Sequence, residues 1–319
     1  MTHLAMRKSI SIRRTADLAQ NHLALICEIT KDLPPLTKRI LDRGQNTGHW
    51  LSVFPSTFTD TLISAAEFRD GLHLRYGLTP TDLPKLCDGC QQPFSVTHSL
   101  QCKVGGLITR RHDEINATLG QLCVQALGKS TVFAEPRINY TRRTKTDDNS
   151  TASTPTQSNQ PTPTIPSDER GDLLVKNVWA HGTDCIIDVR MTDTDSPSYL
   201  NDTPADVIEN QEKQKKRKYV NSCLKQRRTF TPFVLSVDGL LGKEAKSFLK
   251  AISTHLASKW DQPYSVVRGY VNAKISIAAL RASHQCIRGS RTPSTRICRD
   301  RWYEKPWDDG AGLHLFKTH

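Results

Sequence analysis

The sequence predicts a mixed α/β (α+β) protein: a mixed sheet flanked by helices, with a small cysteine-rich unit ahead of it. Three observations predict it. Apolar patterns from 108 to 260 run helix, strand, linker, strand, strand, helix, strand, helix, an order that layers helices on a sheet. The stretch CDGCQQPFSVTHSLQC, 87–102, gathers four metal-ligand side chains in a segment too short for a core of its own. Finally, 37% hydrophobic against 24% charged residues is an ordinary globular balance, and 319 residues suffice for two domains and one sizeable core.

Residues 1–84 read as a mixed, partly helical N-terminal segment. Short helices are expected at Leu36–Leu41 and Thr59–Phe68, with packing around Trp50, Phe54 and Phe58. EFRDGLHLRYGLTPTDLP, 67–84, is a helix stopped by Gly77 and a Pro-rich turn. The cysteine cluster, 85–106, follows, and Gly105-Gly106 ends it. Residues 107–140 hold a helix from Ile108 to Leu127 and a strand within TVFAEPRI, 131–138. In that helix Ile115, Leu119, Leu122 and Ala126 recur at spacings of four, three and four, one apolar face.

Residues 141–169 are Thr, Ser, Pro, Asn and Gln with almost no large apolar side chain. They cannot bury enough surface to offset their ordering entropy, so a disordered insertion is expected. The second part of the fold is 170–288. Leu173–Val178 and Asp184–Met191 are strands joined by a Gly-containing turn, a hairpin pattern. A long basic helix spans 205–226, a strand 231–239 and an amphipathic helix 242–260, whose apolar face is Ala245, Phe248, Leu249, Ile252 and Leu256. A last helix spans Tyr264–Cys286, and the tail, 289–319, is basic and irregular. No internal repeat is present.

The net charge of +12 points to a polyanionic partner, DNA first and RNA second, against the plainer reading of an unengaged basic surface. No apolar run reaches the roughly 18–20 residues that span a bilayer, so no membrane partner is expected. The N-terminus lacks the apolar stretch of a secretory signal; a transit-peptide reading is the alternative. Nine cysteines, an odd number without secretory context, argue for metal ligands and reduced thiols rather than a disulfide framework.

Cys87-x2-Cys90-x7-His98-x3-Cys102 supplies thiolate and imidazole ligands for a closed tetrahedral zinc site, a structural one because no position is left for water. Gly89 eases the turn between the first two cysteines. The competing reading is a chance grouping in a thiol-rich chain. Cys123, Cys185, Cys223, Cys286 and Cys298 are scattered and read as plain core or surface thiols. His112 is either a fifth candidate ligand or a helix-surface histidine.

Asp172 opens one strand and Asp188 lies near the end of the next, so both can point to one edge of the sheet. Two carboxylates converging there make a hard oxygen site suited to Mg²⁺, which activates water and neutralises phosphodiester charge. An Asp inside IIDVR interrupts an apolar run, which costs stability unless it is paired or bound. From Lys213 to Arg228 there are eight basic residues and no acidic one. Lys215 and Lys218 share a helix face, as do Lys213 and Lys216. One lysine beside the metal could stabilise phosphorane charge while the others hold a phosphate backbone. A solvated basic face, or a nuclear-localisation signal in KKRK, explains some of them equally well.

The knuckle, R-x-D, the hairpin, D-V and K-x-x-K-Y together resemble the C-terminal end of a site-specific (R2-type) non-LTR retrotransposon polyprotein. EFRDGLHLRYG, GGLITRRHDE and FTPFVLSVDGLLGKEA are similar to invertebrate retroelement C-termini, and the resemblance covers roughly residues 50–290. It implies a zinc knuckle of Cys87, Cys90, His98 and Cys102 before a restriction-like endonuclease of the PD-(D/E)XK superfamily, with a helix, three strands, a helix and a strand as its core. Asp172 and Asp188 would then hold Mg²⁺, and Lys215 and Lys218 would be catalytic. Tyr219 completes K-x-x-K-Y and joins Lys213, Lys216, Arg217, Arg110 and Arg111 as candidate nucleic-acid contacts. The chain departs from the family at Gly171, where proline is usual, at Arg190, where the generic pattern has lysine, and in the knuckle's last gap. No Y/F-x-D-D hairpin is present: Asp147-Asp148 and Asp308-Asp309 lie outside apolar strands, so a reverse transcriptase is not expected. The resemblance implies a nuclear enzyme nicking target DNA for integration; the alternative is an inactive nucleic-acid-binding protein on a degenerate nuclease scaffold.

Overall fold

A computed structural model describes residues 3–57, 59–138 and 169–292. The expected insertion apart from Glu169, the tail beyond Thr292, Phe58, Cys298 and both Asp-Asp pairs lie outside these residues.

The described chain runs α1 (His3–Thr30), α2 (Pro35–Gly44), α3 (Ala65–Arg75), α4 (Val96–Gln101), α5 (Leu107–Leu127), β1 (Val132–Ala134), β2 (Leu173–Lys176), β3 (Asp184–Thr192), α6 (Pro204–Lys225), β4 (Arg228–Ser236), α7 (Lys243–Trp260) and α8 (Tyr264–Arg288). The four strands form one sheet in chain order; β1–β2 and β2–β3 are antiparallel and β3–β4 is parallel. Parallel pairing needs a crossover between β3 and β4, and α6 is that crossover. The mixed α/β order expected from 108 to 260 is the order present.

Side-chain alternation along the strands divides the sheet into two faces. Cys185, Ile187, Val189 and Met191 of β3 and Phe233 and Leu235 of β4 join the main core against α5, α7 and α8. All four predicted face residues of α5, and all five of α7, are buried there. Phe233 and Phe248 meet edge to face at 6.3 Å and are fully buried; burial of one such side chain contributes about 1.5–3 kcal/mol. The opposite face carries Leu174 and Ile186, which pack with Tyr219 and Cys223 of α6. Asp188 follows Ile186 by two positions, so the pleat turns it toward α6 rather than into the main core.

The N-terminal segment departs most from expectation. Residues 59–64 are not helical. Helix α3 starts later because Ser64 accepts from Glu67 N while the Glu67 carboxylate accepts from Ser64 N, a capping box that fixes the first turn. Trp50 is buried edge-on against Phe68, but Phe54 is exposed. Helix α1 was not expected at all. The segment is fastened to the rest by buried charge. Arg43 of α2 donates to Asp195 and Asp238, and Asp70 of α3, fully buried, accepts from His284 and twice from Arg288 of α8. Burial opposes ionisation of Asp70, yet Arg288 and His284 hold its carboxyl below the usual range. Among the described residues, no helix is long and apolar enough to cross a membrane.

Candidate functional site

The cysteine cluster closes as its spacing predicts. Cys87 N donates to Gln92 O and Phe94 N to Lys85 O, making a tight hairpin. Ser95 then caps α4 by accepting from His98 N. The hairpin brings Cys87 and Cys90, and α4 brings His98 and Cys102, until their ligand atoms all lie within 4.8 Å of one another. Cys87 Sγ is 3.9 Å from Cys102 Sγ, Cys90 Sγ is 3.8 Å from Cys102 Sγ and 3.4 Å from His98 Nε2. A tetrahedral zinc with bonds of about 2.3 Å to sulfur and 2.0–2.1 Å to nitrogen spaces its ligands by about 3.8 and 3.6 Å. The donor set and its spacing therefore fit zinc. Burial alone would raise the Cys87 thiol, but N–H groups of Cys90 and Gly89 and the His98 ring bring it down to about 6.

The knuckle is bolted to the body. Arg291, just beyond α8, donates to the carbonyls of Ser99 and Cys286, while Asp88 accepts from Arg291 N and Ser290 Oγ. Gly105, at φ +79°, lies against the Arg291 backbone, where a Cβ would approach to 2.5 Å. Arg111 is a second bolt. It is buried and donates to Leu100 O of α4 and Met191 O of β3, so it ties the knuckle to the sheet rather than facing a nucleic acid. Arg110 beside it is half-buried. Cys123, Cys185, Cys223 and Cys286 are buried core thiols, as expected.

The acidic pair meets across the β2–β3 register. Leu173, the first residue of β2, pairs with Ile187, and Asp172 just before it is held against β3 by bonds to the residues on either side of Asp188. Asp172 N donates to Ile187 O, and Asp172 Oδ2 accepts the Val189 N–H at 2.6 Å. Asp188 is the fifth residue of the nine in β3, so it sits mid-strand, not near the end. It is buried, and its Oδ2 accepts no well-directed hydrogen bond; the Lys215 ammonium faces it as an ion pair. Burial pushes the Asp188 carboxyl up, Lys215 pulls it down and the Asp172 charge pushes it up again; it stays above the usual range.

His112 completes this edge, and its placement replaces both sequence readings of it. The ring is neither on the zinc cluster nor loose on a helix surface. Its Nε2 is 3.3 Å from Asp172 Oδ2, and Asp113 and Asn116 flank its Nδ1 at 3.6 and 3.1 Å. Burial would lower this imidazole, but the carboxylates of Asp113 and Asp172 outweigh it and raise it to about 10. RRHD gave no hint of a partner sixty positions away; the only usable signal was His112 and Asn116 lying one helical turn apart.

The lysines separate. Lys215 lies on Asp188. Lys218 is exposed and donates to Tyr219 Oη while its ammonium stands over the Tyr219 ring. Tyr219 itself is buried against Phe230, a packing residue with a polar tip. Lys213 pairs with Glu209 along the helix surface, Lys216 pairs with Glu244 at the start of α7, and Arg217 is exposed. Of the predicted contacts, Lys213 and Arg217 are exposed, and Lys218, expected to be catalytic, joins Lys225 and Arg227 in the same exposed basic set.

Gly171 has a packing reason. A Cβ there would lie 2.5 Å from Ile186 Cγ2 and 3.2 Å from Ile187 O, and its N–H donates to Pro136 O. Gly171→Pro is expected to cost about 2 kcal/mol through overpacking and a lost hydrogen bond. At this size that is a drop of roughly 3–4 °C in the thermal midpoint. Unfolding at or above the wild-type midpoint would contradict this account of the glycine.

Fold and site together define a mixed α/β protein with a Cys3His cluster able to hold zinc and a pair of acids on the sheet flanked by a lysine and a histidine. The chain matches no protein-family model and no curated protein sequence.

Proposed function

We propose that this chain is a divalent-metal-dependent endonuclease that nicks DNA, built on a restriction-like core and belonging to the C-terminal end of a site-specific retroelement polyprotein. The observation that carries the reading is Asp172 bonded to both neighbours of Asp188, close enough for the two charges to act on each other, with Lys215 on the second acid. The run of α5, three strands, α6 and β4 agrees with the helix and strand order of that nuclease core.

The residues fit a hard dication. Two carboxylates lie close together, and their mutual repulsion, which Lys215 offsets only at the Asp188 oxygen it faces, favours added positive charge. Asp172 and Asp188 would hold Mg²⁺, which supplies Lewis-acid polarisation of a phosphate and an activated water. Lys215 is placed to offset negative charge gathering on the phosphate oxygens. Exposed Arg217, Lys213, Lys218, Lys225 and Arg227 would grip the DNA backbone without reading sequence. The sheet edge would thus do chemistry while α6 positions the strand. Such a substrate places the working protein in the nucleus, in keeping with KKRK.

The test is nicking of supercoiled plasmid by purified, zinc-loaded protein with Mg²⁺ and with EDTA. Nicking should require Mg²⁺ and return when excess Mg²⁺ is restored, which separates it from loss of zinc. Nicking that persists in EDTA sinks the metal assignment. DNA binding without nicking under any divalent ion selects the alternative, a zinc-knuckle binding module on a degenerate nuclease scaffold.

A further inference from the structure

From the contacts of His112 we infer that it is a positioning residue for Asp172, locking one carboxylate oxygen so that the other faces the metal; this rests on the nuclease reading above. The argument is a count of hydrogen bonds at one carboxylate. Asp172 Oδ2 receives the Val189 N–H at 2.6 Å and lies 3.3 Å from His112 Nε2. Two donors from two different elements, β3 and α5, fix the carboxylate plane and occupy that oxygen. Oδ1 is left as the oxygen to bind a cation.

His112 is itself held. Asn116, one helical turn on, is buried, and its Oδ1 has no partner while its Nδ2 stands 3.1 Å from His112 Nδ1. A half-turn of the amide, which exchanges O for N, lets Oδ1 accept the Nδ1–H and satisfies the orphan. Nε2–H then points to Asp172. The chain Asn116 to His112 to Asp172 has the form of the outer-shell hydrogen bonds that orient metal-binding carboxylates, whose removal weakens metal affinity or activity by about 10–100-fold. Arg111, next in the chain, anchors the same turn of α5 to β3 through Met191 O, so the helix that carries His112 is fixed to the strand that carries Asp188.

The test uses zinc-loaded full-length protein and Mn²⁺ as the probe, read by loss of the free-ion paramagnetic resonance signal, with Asp172→Asn/Asp188→Asn as the blank. His112→Ala should weaken Mn²⁺ binding about tenfold, the lower end of the outer-shell range. It should also raise the Mg²⁺ concentration for half-maximal nicking similarly, leaving the rate at saturating Mg²⁺ within about threefold. His112→Gln, whose amide N–H can reach Asp172, should recover most of the affinity, and Asn116→Ala should fall between. A merely structural histidine would lower the thermal midpoint without moving Mn²⁺ affinity, and that outcome overturns the inference, as does failure of His112→Gln to rescue a folded protein. If the wild type nicks but His112→Ala keeps its metal dependence, this inference alone fails. If the wild type shows no Mn²⁺ binding above the blank, the nuclease reading fails first.

Discussion

Asp188→Asn is expected to lower plasmid nicking by about a thousandfold, the order of loss seen when one essential group is removed from a catalytic constellation. It should do so without destabilising the metal-free protein. The substitution keeps shape and removes charge from a buried carboxyl that sits beside a second acid. Its folded pKa lies above the unfolded value, so the folded state binds more protons between the two values. Asp188 therefore costs stability as pH rises through that window, and the cost persists above it. The neutral amide removes it. The Lys215 ammonium left behind is not sealed in, since about a fifth of that side chain is exposed. A thermal midpoint equal to or above wild type in magnesium-free buffer, paired with lost nicking, is the signature of a group kept for function against stability. Wild-type nicking by Asp188→Asn would remove this residue from the site.

The two lysines of K-x-x-K should then part. Lys215→Met is expected to cost about a hundredfold or more, as removal of one electrostatic stabiliser does. Lys218→Met should cost only a few-fold, and mainly in salt-sensitive DNA binding, because its ammonium is taken up by Tyr219 while Lys215 forms the ion pair with Asp188. Equal losses would mean that the lysine at Asp188 is not the working one.

These distinctions show where sequence reading carries and where it stops. Ile115, Leu119, Leu122 and Ala126 were legible because one helix face repeats at 3.6 residues, and the buried β3 and β4 because apolar runs bounded by turns leave few alternatives. Asp188 was legible as an acid breaking such a run. Helix α1 was not, because from 16 to 30 its described side chains, Leu18, Leu23, Leu25 and Ile29 among them, stay largely exposed and no buried face imposes a pattern. The helix expected from Thr59 failed where a local signal was present: Ser64 with Glu67 three places on marked the true start. His112, Arg111 and the choice between Lys215 and Lys218 depend on what lies across the sheet. That is register information, and a one-residue shift would reverse it.

Removing zinc should be the most disruptive single change to the fold. One equivalent of zinc should survive purification, and Cys87→Ser or Cys102→Ser should abolish it. Residues 85–106 bury only Cys87, Ser99, Leu100 and Cys102, too little apolar surface to order the segment without metal. Structural zinc supplies about 10–16 kcal/mol of apparent folding energy in small domains, and each kcal/mol moves the midpoint of a chain this size by about 1.5–2 °C. Transmission of even a third of that energy predicts a fall of about 5–10 °C. Transmission is built in, because Arg291 joins Ser99 to the end of α8 and Arg111 joins Leu100 to β3. Hydrogen exchange should therefore quicken first across 85–106, then in the first turn of α5 and the last turn of α8, while β3 and β4 hold. Because His112 lies in the next turn of α5, zinc loss should also raise the Mg²⁺ requirement for nicking before it abolishes DNA binding by α6. A cysteine variant that lacks zinc yet melts with the wild type would show that the knuckle folds without its metal.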